Sequence, residues 1–280
     1  MADQTRRTAF ITGASRGIGK ATALAFAAAG YDVAITARTL HEGDGRDDSD
    51  SGEGRTIPGS LDATAAGIEA FGVQALCLQA DLFDRASLER AVATALDTFG
   101  HVDVLVNNAV DTGPGSMVLI SELSVEQLAS KLTGNVVSQF VVIHALLPSM
   151  LERGQGTIIN VTSHAGVVDP PAPAGKGGWG LAYAASKSAF HRFAAFLALE
   201  LGDQGIVAYN LSPGFVETER QLVNASKTGL GAYQGAPPSV PAAVAVWLAD
   251  KPEALENGAT AMAQKLALER ELHPDWRVKN

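Results

Sequence analysis

The opening stretch of the chain leaves it few ways to fold: Thr8-Ala9-Phe10-Ile11-Thr12, then Gly13-Ala14-Ser15-Arg16-Gly17-Ile18-Gly19, then a run from Lys20 to Ala29 rich in Ala, Leu and Phe. The first five residues read as a short buried strand, the glycines break it, and the third run has the content of a packed helix. The junction also has a chemistry of its own. A helix start exposes N–H groups that lack intrahelical partners, and the helix dipole favours an anion there, so a pyrophosphate is a natural guest. The glycines admit backbone conformations and close approaches that a Cβ would block. The spacing, Gly-x-x-x-Gly-x-Gly, is neither Gly-x-Gly-x-x-Gly nor a P-loop, which ends in Lys-Ser/Thr; taken alone, the segment also fits a plain tight turn.

The next strand, Asp32 to Arg38, sharpens the reading. In a βαβ nucleotide unit an acidic residue about 20 positions beyond the glycines takes the adenosine ribose hydroxyls, whereas an arginine there accommodates a 2′-phosphate. Here Ala37 ends the strand and Arg38 follows. With Arg16 in the turn, two cations can bracket that phosphate, which favours NADP(H) and leaves NAD(H) open. Residues 41–60 are rich in Gly, Asp and Ser without an apolar period and read as a flexible acidic insertion.

Strands and helices then alternate. Ser60 caps a helix over 61–71 that Gly72 stops, and a strand over 73–79 ends at Asp81-Leu82. Asp84 caps a helix to Phe99-Gly100, and a strand over 102–106 ends in Asn107-Asn108-Ala109. Ser124 to Gln127 fits a capping box opening a long helix that carries Asn135 and reaches Leu151 or beyond. A strand over 156–163 carries Ser163 at its end, a Pro/Gly-dense loop over 169–180 follows, and the next helix opens with Tyr183-Ala184-Ala185-Ser186-Lys187. A strand over 206–211 is tipped by Ser212-Pro213-Gly214, and 219–234 reads as a candidate lid. A helix over 241–249 and a last strand over 259–264 close the pattern. This predicts an α/β fold of the Rossmann type, a doubly wound parallel sheet in a single domain over 1–280.

Tyr183 and Lys187 lie four residues apart, on one helix face, so the ammonium can favour the phenolate. A phenol titrates at roughly 10, and proton transfer is most efficient when the group titrates nearer working pH, which is why a tyrosine acid/base needs such a neighbour. Separately, each residue is equally well a ring at a core edge and a solvated amine.

Composition excludes more than it selects. The 280 residues, 46% hydrophobic, can bury a large core. A formal net charge of -9 disfavours nucleic acid and anionic membrane as partners. Cys77 is the single cysteine, so no intrachain disulfide forms. No metal-ligand cluster is apparent, no stretch reads as a signal segment or membrane span, and a cytoplasmic location is expected.

These motifs together resemble the short-chain dehydrogenases/reductases over roughly residues 8 to 218. The resemblance assigns Gly13, Ser15, Arg16, Gly17, Ile18 and Gly19 to the cofactor turn, and Asp81 and Leu82 to the adenine. Asn108 and Ala109 are similar to the family's Asn-Asn-Ala-Gly segment, and Pro213, Gly214 and Thr218 to the segment holding the nicotinamide. Asn135, Ser163, Tyr183 and Lys187 match the catalytic positions, with Tyr183 and Lys187 also touching the cofactor. The implied activity is hydride transfer between NADP(H) and a secondary alcohol/ketone pair: Tyr183 is the acid/base, Ser163 orients the oxygen, Lys187 lowers the Tyr183 pKa and holds the ribose, and Asn135 steadies a water. The alternatives are a non-catalytic cofactor-binding sensor or scaffold, and an epimerase or dehydratase on the same fold. His164, Trp179, Phe215 and the 219–234 loop are candidates for the pocket of a small-molecule carbonyl substrate, and apolar helix faces over 127–150 and 181–201 imply a homo-oligomer, tetramer or dimer. The chain departs from the family at Val110, where glycine is usual, in the long interval between Ser163 and Tyr183, and in lacking a glycine-rich ending.

Overall fold

The computed structural model describes residues 6–50, 52, 54–224 and 235–276. Strands β1 (Thr8–Thr12), β2 (Asp32–Ala37), β3 (Ala75–Gln79), β4 (Val104–Asn107), β5 (Gly156–Val161), β6 (Ile206–Ser212) and β7 (Thr260–Met262) form one parallel sheet in the order β3-β2-β1-β4-β5-β6-β7. This is the predicted doubly wound α/β architecture. The order reverses between β1 and β4, so the Gly13 turn and the Asn107 strand tip stand side by side at the carboxyl edge, where ligands bind in such sheets.

Side-chain alternation explains why both faces are covered. Ala9 and Ile11 of β1 enter one core while Phe10 enters the other; Val104 and Val106 of β4 likewise part from Leu105, and Ile159 of β5 from Ile158. Helices α1 (Gly17–Ala28), α2 (Leu61–Glu69) and α8 (Ser239–Asp250) close the first core with Phe26, Leu61, Val240, Val244 and Leu248. Helices α3 (Arg85–Phe99), α5 (Ser138–Arg153) and α6 (Leu181–Leu201) close the second with Leu88, Val92, Val142, Leu146 and Ala194. The caps are local chemistry. Ser60 accepts from the Ala63 N–H and Asp84 from the Ser87 N–H, and Gly100 ends α3 in the left-handed region.

The long helix begins as α4 (Val125–Leu132), where Ser124 and Gln127 form the reciprocal capping box. It continues into α5 through a π turn over Thr133–Val137, in which the Ser138 N–H donates to the Thr133 carbonyl. The whole span, Val125–Arg153, is long and apolar enough to cross a membrane by length and composition, contrary to the sequence expectation. Packing accounts for much of that apolarity: Val142, Ile143, Leu146 and Met150 are buried against the sheet.

Other expectations are corrected. Within 41–60 the chain doubles back as a short hairpin: Arg46 bridges Thr56, the Asp47 N–H donates to the Arg55 carbonyl, and Asp47 and Ile57 have no exposure. Its anchor is polar and distant in sequence, since Arg16 donates to the carbonyls of Pro58 (2.9 Å) and Gly59 (2.7 Å). Residues 219–224 are a short helix, α7 (Glu219–Asn224); the remainder of the predicted lid, 225–234, lies outside the described residues. The last strand ends at Met262, and Ala263 and Gln264 open helix α9 (Ala263–Glu269) instead of extending it.

Candidate active site

Two groups of residues lie at the carboxyl edge of the sheet. The first lines a cleft of about 580 Å³ bounded by Gly13, Ser15, Arg16, Gly17 and Ile18, by Arg38, by Asp81 and Leu82, by Asn108 and Ala109, and by Thr218. Gly19, Pro213 and Gly214 do not line it but shape what does. A Cβ on Gly19 would lie 2.2 Å from the Gly13 carbonyl oxygen and 2.5 Å from Asn108 Nδ2, so the turn closes only around glycine. Asn108 Nδ2 donates to the carbonyls of Thr12 (2.8 Å) and Gly13 (3.2 Å), and Thr12 Oγ1 accepts from the N–H groups of Asn108 and Ala109, both at 2.9 Å. Gly214 lies at φ +72°, and Gln264 Nε2 donates to the carbonyls on either side of it, Pro213 (3.0 Å) and Phe215 (2.8 Å). Gln264 was invisible in the sequence because its partners are about fifty positions away.

Arg16 and Arg38 are not equivalent. Arg16 Nε and Nη2 are both engaged with main-chain carbonyls of 57–59, so this cation anchors the hairpin at the cleft wall. Arg38 presents its guanidinium to the cleft but pairs with Asp48, Nη2 to Oδ2 at 2.7 Å. Burial of Arg38 works against its charge, and Asp48 more than restores it, holding the guanidinium above its usual range.

The second group holds the predicted catalytic residues. Ser163 follows β5 and caps a short 3₁₀ turn, accepting from the Ala165 N–H at 3.2 Å. Gly166 lets that turn press against α6, since a Cβ there would lie 2.8 Å from the Lys187 main chain. Tyr183, half-buried in the first turn of α6, faces the Ser163 hydroxyl. Burial raises the Tyr183 pKa, and the opposing pull comes from that Ser163 hydroxyl. The expected depression by Lys187 is therefore not what its surroundings supply. Lys187 is buried, donates from Nζ to the Val161 carbonyl at 3.0 Å, and is itself pushed down to about 8 by burial.

Asn135 sits inside the π turn and is 1% exposed. Its Oδ1 accepts from the Asp111 N–H (2.7 Å) and its Nδ2 donates to Ser186 Oγ (3.0 Å), which in turn donates to the Tyr183 carbonyl (2.8 Å). The Asn135 side chain thus ties the loop after β4 to α6. Fully buried Lys131 completes the clamp: its Nζ lies 3.0 Å from Asp111 Oδ2 and donates to the carbonyls of Asp111 and Gly113. Val110, the departure from the family pattern, lines the cleft. Of the pocket candidates, His164 is exposed, and Trp179 and Phe215 are half-buried.

A family model described as short chain dehydrogenase matches residues 7–46 and 56–228. The chain belongs to the short-chain dehydrogenase/reductase family. Among curated relatives it is 33% identical over 215 residues to a 3-oxoacyl-[acyl-carrier-protein] reductase of Synechocystis sp., covering 77% of this chain and 76% of the relative. It is 32% identical over 215 residues to the 2-(R)-hydroxypropyl-CoM dehydrogenase of Xanthobacter autotrophicus, covering 76% of this chain and 75% of the relative. The crystal structure of levodione reductase superposes with a TM-score of 0.73 at 22% identity, over 91% of this chain and 95% of that one. Family membership makes the chain an oxidoreductase and implies an NAD(P)(H) cofactor and a small-molecule substrate. The cleft fits such a nucleotide: a glycine cradle that any Cβ would fill leads to the α1 N-terminus, with Arg38 at the tip of β2.

Proposed function

We propose that this short-chain dehydrogenase interconverts a secondary alcohol and a ketone with NADP(H), using Tyr183 as acid/base. The observation that carries this is Ser163 and Tyr183 beside one another at the sheet edge, with buried Lys187 one turn further along α6. When bound, the nicotinamide supplies or accepts the hydride. In the reductive direction Tyr183 Oη gives its proton to the substrate oxygen, and its raised pKa keeps that proton in place until the oxygen becomes basic. The Ser163 hydroxyl holds the same oxygen. Lys187, with its lowered pKa, supplies a cation that the developing phenolate can draw on within the buried site.

Arg38 supports the choice of NADP(H). Arg46 and Arg220 join it and Arg16 around the cleft, which Asp44, Asp48, Asp81 and Asp111 line as well. The reductase and dehydrogenase names of the relatives support carbonyl and alcohol chemistry. We also propose a cytoplasmic homo-oligomer. A single cysteine suits a reducing compartment, and Val137, Phe140, Phe196 and Leu199 leave an exposed apolar face on the π turn, α5 and α6.

The test is purified protein with NADPH and a panel of ketones, followed by nicotinamide absorbance. Wild type should oxidise NADPH, and Tyr183→Phe should lower kcat by at least about 100-fold, the usual worth of a positioned acid/base. Equal turnover by the two proteins would remove Tyr183 from the chemistry.

A further inference from the structure

The hairpin within 41–60 and helix α7 both bring carboxylates onto donors of the kind that the cofactor's phosphates require, and Asp48 of the hairpin lines the cleft. Arg38 Nη2 donates to Asp48 Oδ2 at 2.7 Å, and Asp48 Oδ1 also accepts from Thr112 Oγ1 at 2.7 Å. At the other end of the cleft, the Gly17 N–H, in the first turn of α1, donates to Glu219 Oε2 at 2.8 Å. That N–H is one of the free donors at the helix start where a pyrophosphate is most favoured.

The two carboxylates are mechanically joined. Arg220, next in the chain to Glu219, places Nη1 2.5 Å from Asp47 Oδ1 and 3.5 Å from Asp48 Oδ1. Asp47 has no exposure, so this end of the link is fixed in the hairpin. Residues 47–55 fall between the two stretches matched by the family model, so Asp47 and Asp48 belong to an addition that the family pattern does not contain.

We propose that Asp48 and Glu219 stand in for the cofactor's phosphates: each holds a donor that one phosphate of the nucleotide needs, so the nucleotide binds by exchange with them and Asp48 discriminates against a 2′-phosphate. The inference rests on the reading of Arg38 given above. An anion entering at Arg38 meets a carboxylate already hydrogen-bonded to the same nitrogen, and the two like charges cannot both keep short contacts there. NADPH therefore displaces Asp48, whereas NADH, with a ribose hydroxyl at that point, leaves it in place. The pyrophosphate is common to both nucleotides, so exchange at Glu219 affects them equally.

The experiment is calorimetric titration of wild-type, Asp48→Asn, Asp48→Ala, Glu219→Gln and Arg38→Ala proteins with NADPH, NADH and the fragment 2′,5′-ADP, with Tm measured for each. Both Asp48 variants should tighten NADPH and 2′,5′-ADP by about tenfold and leave NADH within about twofold, the scale of one charge-assisted hydrogen bond released. Glu219→Gln should tighten NADPH and NADH by the same factor and leave 2′,5′-ADP, which has no pyrophosphate, unchanged. Hydrogen exchange in 41–50 should rise on addition of NADPH and stay unchanged with NADH.

If the Asp48 variants leave the NADPH to NADH ratio unmoved, or weaken NADPH, while Arg38→Ala lowers that ratio, the role of Asp48 is overturned and the reading of Arg38 stands. If Arg38→Ala leaves the ratio unmoved, the reading of Arg38 falls and the role of Asp48 with it. Unchanged or weakened binding of both dinucleotides by Glu219→Gln overturns the pyrophosphate half.

Discussion

Replacing Gly19 by alanine sets two effects of opposite sign against each other. Gly19 lies within α1, and in a helix alanine is favoured over glycine by about 0.5–1 kcal/mol, so propensity alone predicts a more stable protein. The space around it predicts the reverse. The new Cβ would stand 2.2 Å from the Gly13 carbonyl oxygen and 2.5 Å from Asn108 Nδ2, and neither neighbour is the free end of a flexible side chain. Forcing atoms into such a site costs about 1–3 kcal/mol. Moving Asn108 aside weakens its bonds to the Thr12 and Gly13 carbonyls, each worth about 1 kcal/mol. The net expectation is a loss of about 2–4 kcal/mol, or a fall in Tm of about 5–15 °C by calorimetry. Opening the turn should also weaken nucleotide binding by at least about tenfold, since the α1 donors lose their alignment. Gly30→Ala is the control: it carries φ +87° with nothing within 4 Å, so backbone strain alone should lower stability by about 1 kcal/mol and leave binding intact. A Gly19→Ala protein as stable as wild type, with unaltered nucleotide affinity, would refute the argument from close approach.

Other consequences are as direct. Lys131→Met removes the cation from a fully buried pair and leaves Asp111 uncompensated, so it should destabilise by about 3–5 kcal/mol in urea titration and lower kcat through the loop that Asn135 ties to α6. Lys187, with a folded value of about 8 below its ordinary 10.5, makes the unfolded chain the better proton binder between those values. Its contribution to stability therefore rises with pH through that window. The urea midpoint of wild type should increase from pH 7.5 to 9.5 relative to Lys187→Met, and parallel profiles would show that Lys187 is not perturbed.

What could be read in advance was what is decided locally. Ser60, Asp84 and the Ser124–Gln127 pair cap their helices through bonds three residues long, so their positions were visible in the order of the residues. The sheet followed from runs such as Val104 to Val106, whose apolarity on both sides requires two covered faces. The positions of Ser163, Tyr183 and Lys187 were also legible, because each sits at the end of a strand or the start of a helix. The missed elements depend on distant partners. Nothing in the composition of 41–60 shows that Arg16 will anchor it or that Arg220 will reach Asp47 across 173 positions. Gln264 was expected to end the last strand, yet its side chain instead braces the Pro213 to Phe215 segment from the first turn of α9. The Tyr183 pKa was read from a neighbour one helical turn away, whereas burial is the larger influence.

The π turn at Thr133–Val137 gives the long helix one extra residue in its winding. Each helical residue rotates the chain by about 100°, so the added residue decides which sides of the two segments are in phase. Upstream of it Lys131 is aimed at the loop after β4; downstream Val142, Ile143, Leu146 and Met150 are aimed at the sheet. Excising Gly134 to restore a regular winding would swing one segment by that angle relative to the other, and the chain could keep its clamp or its core contacts but not both.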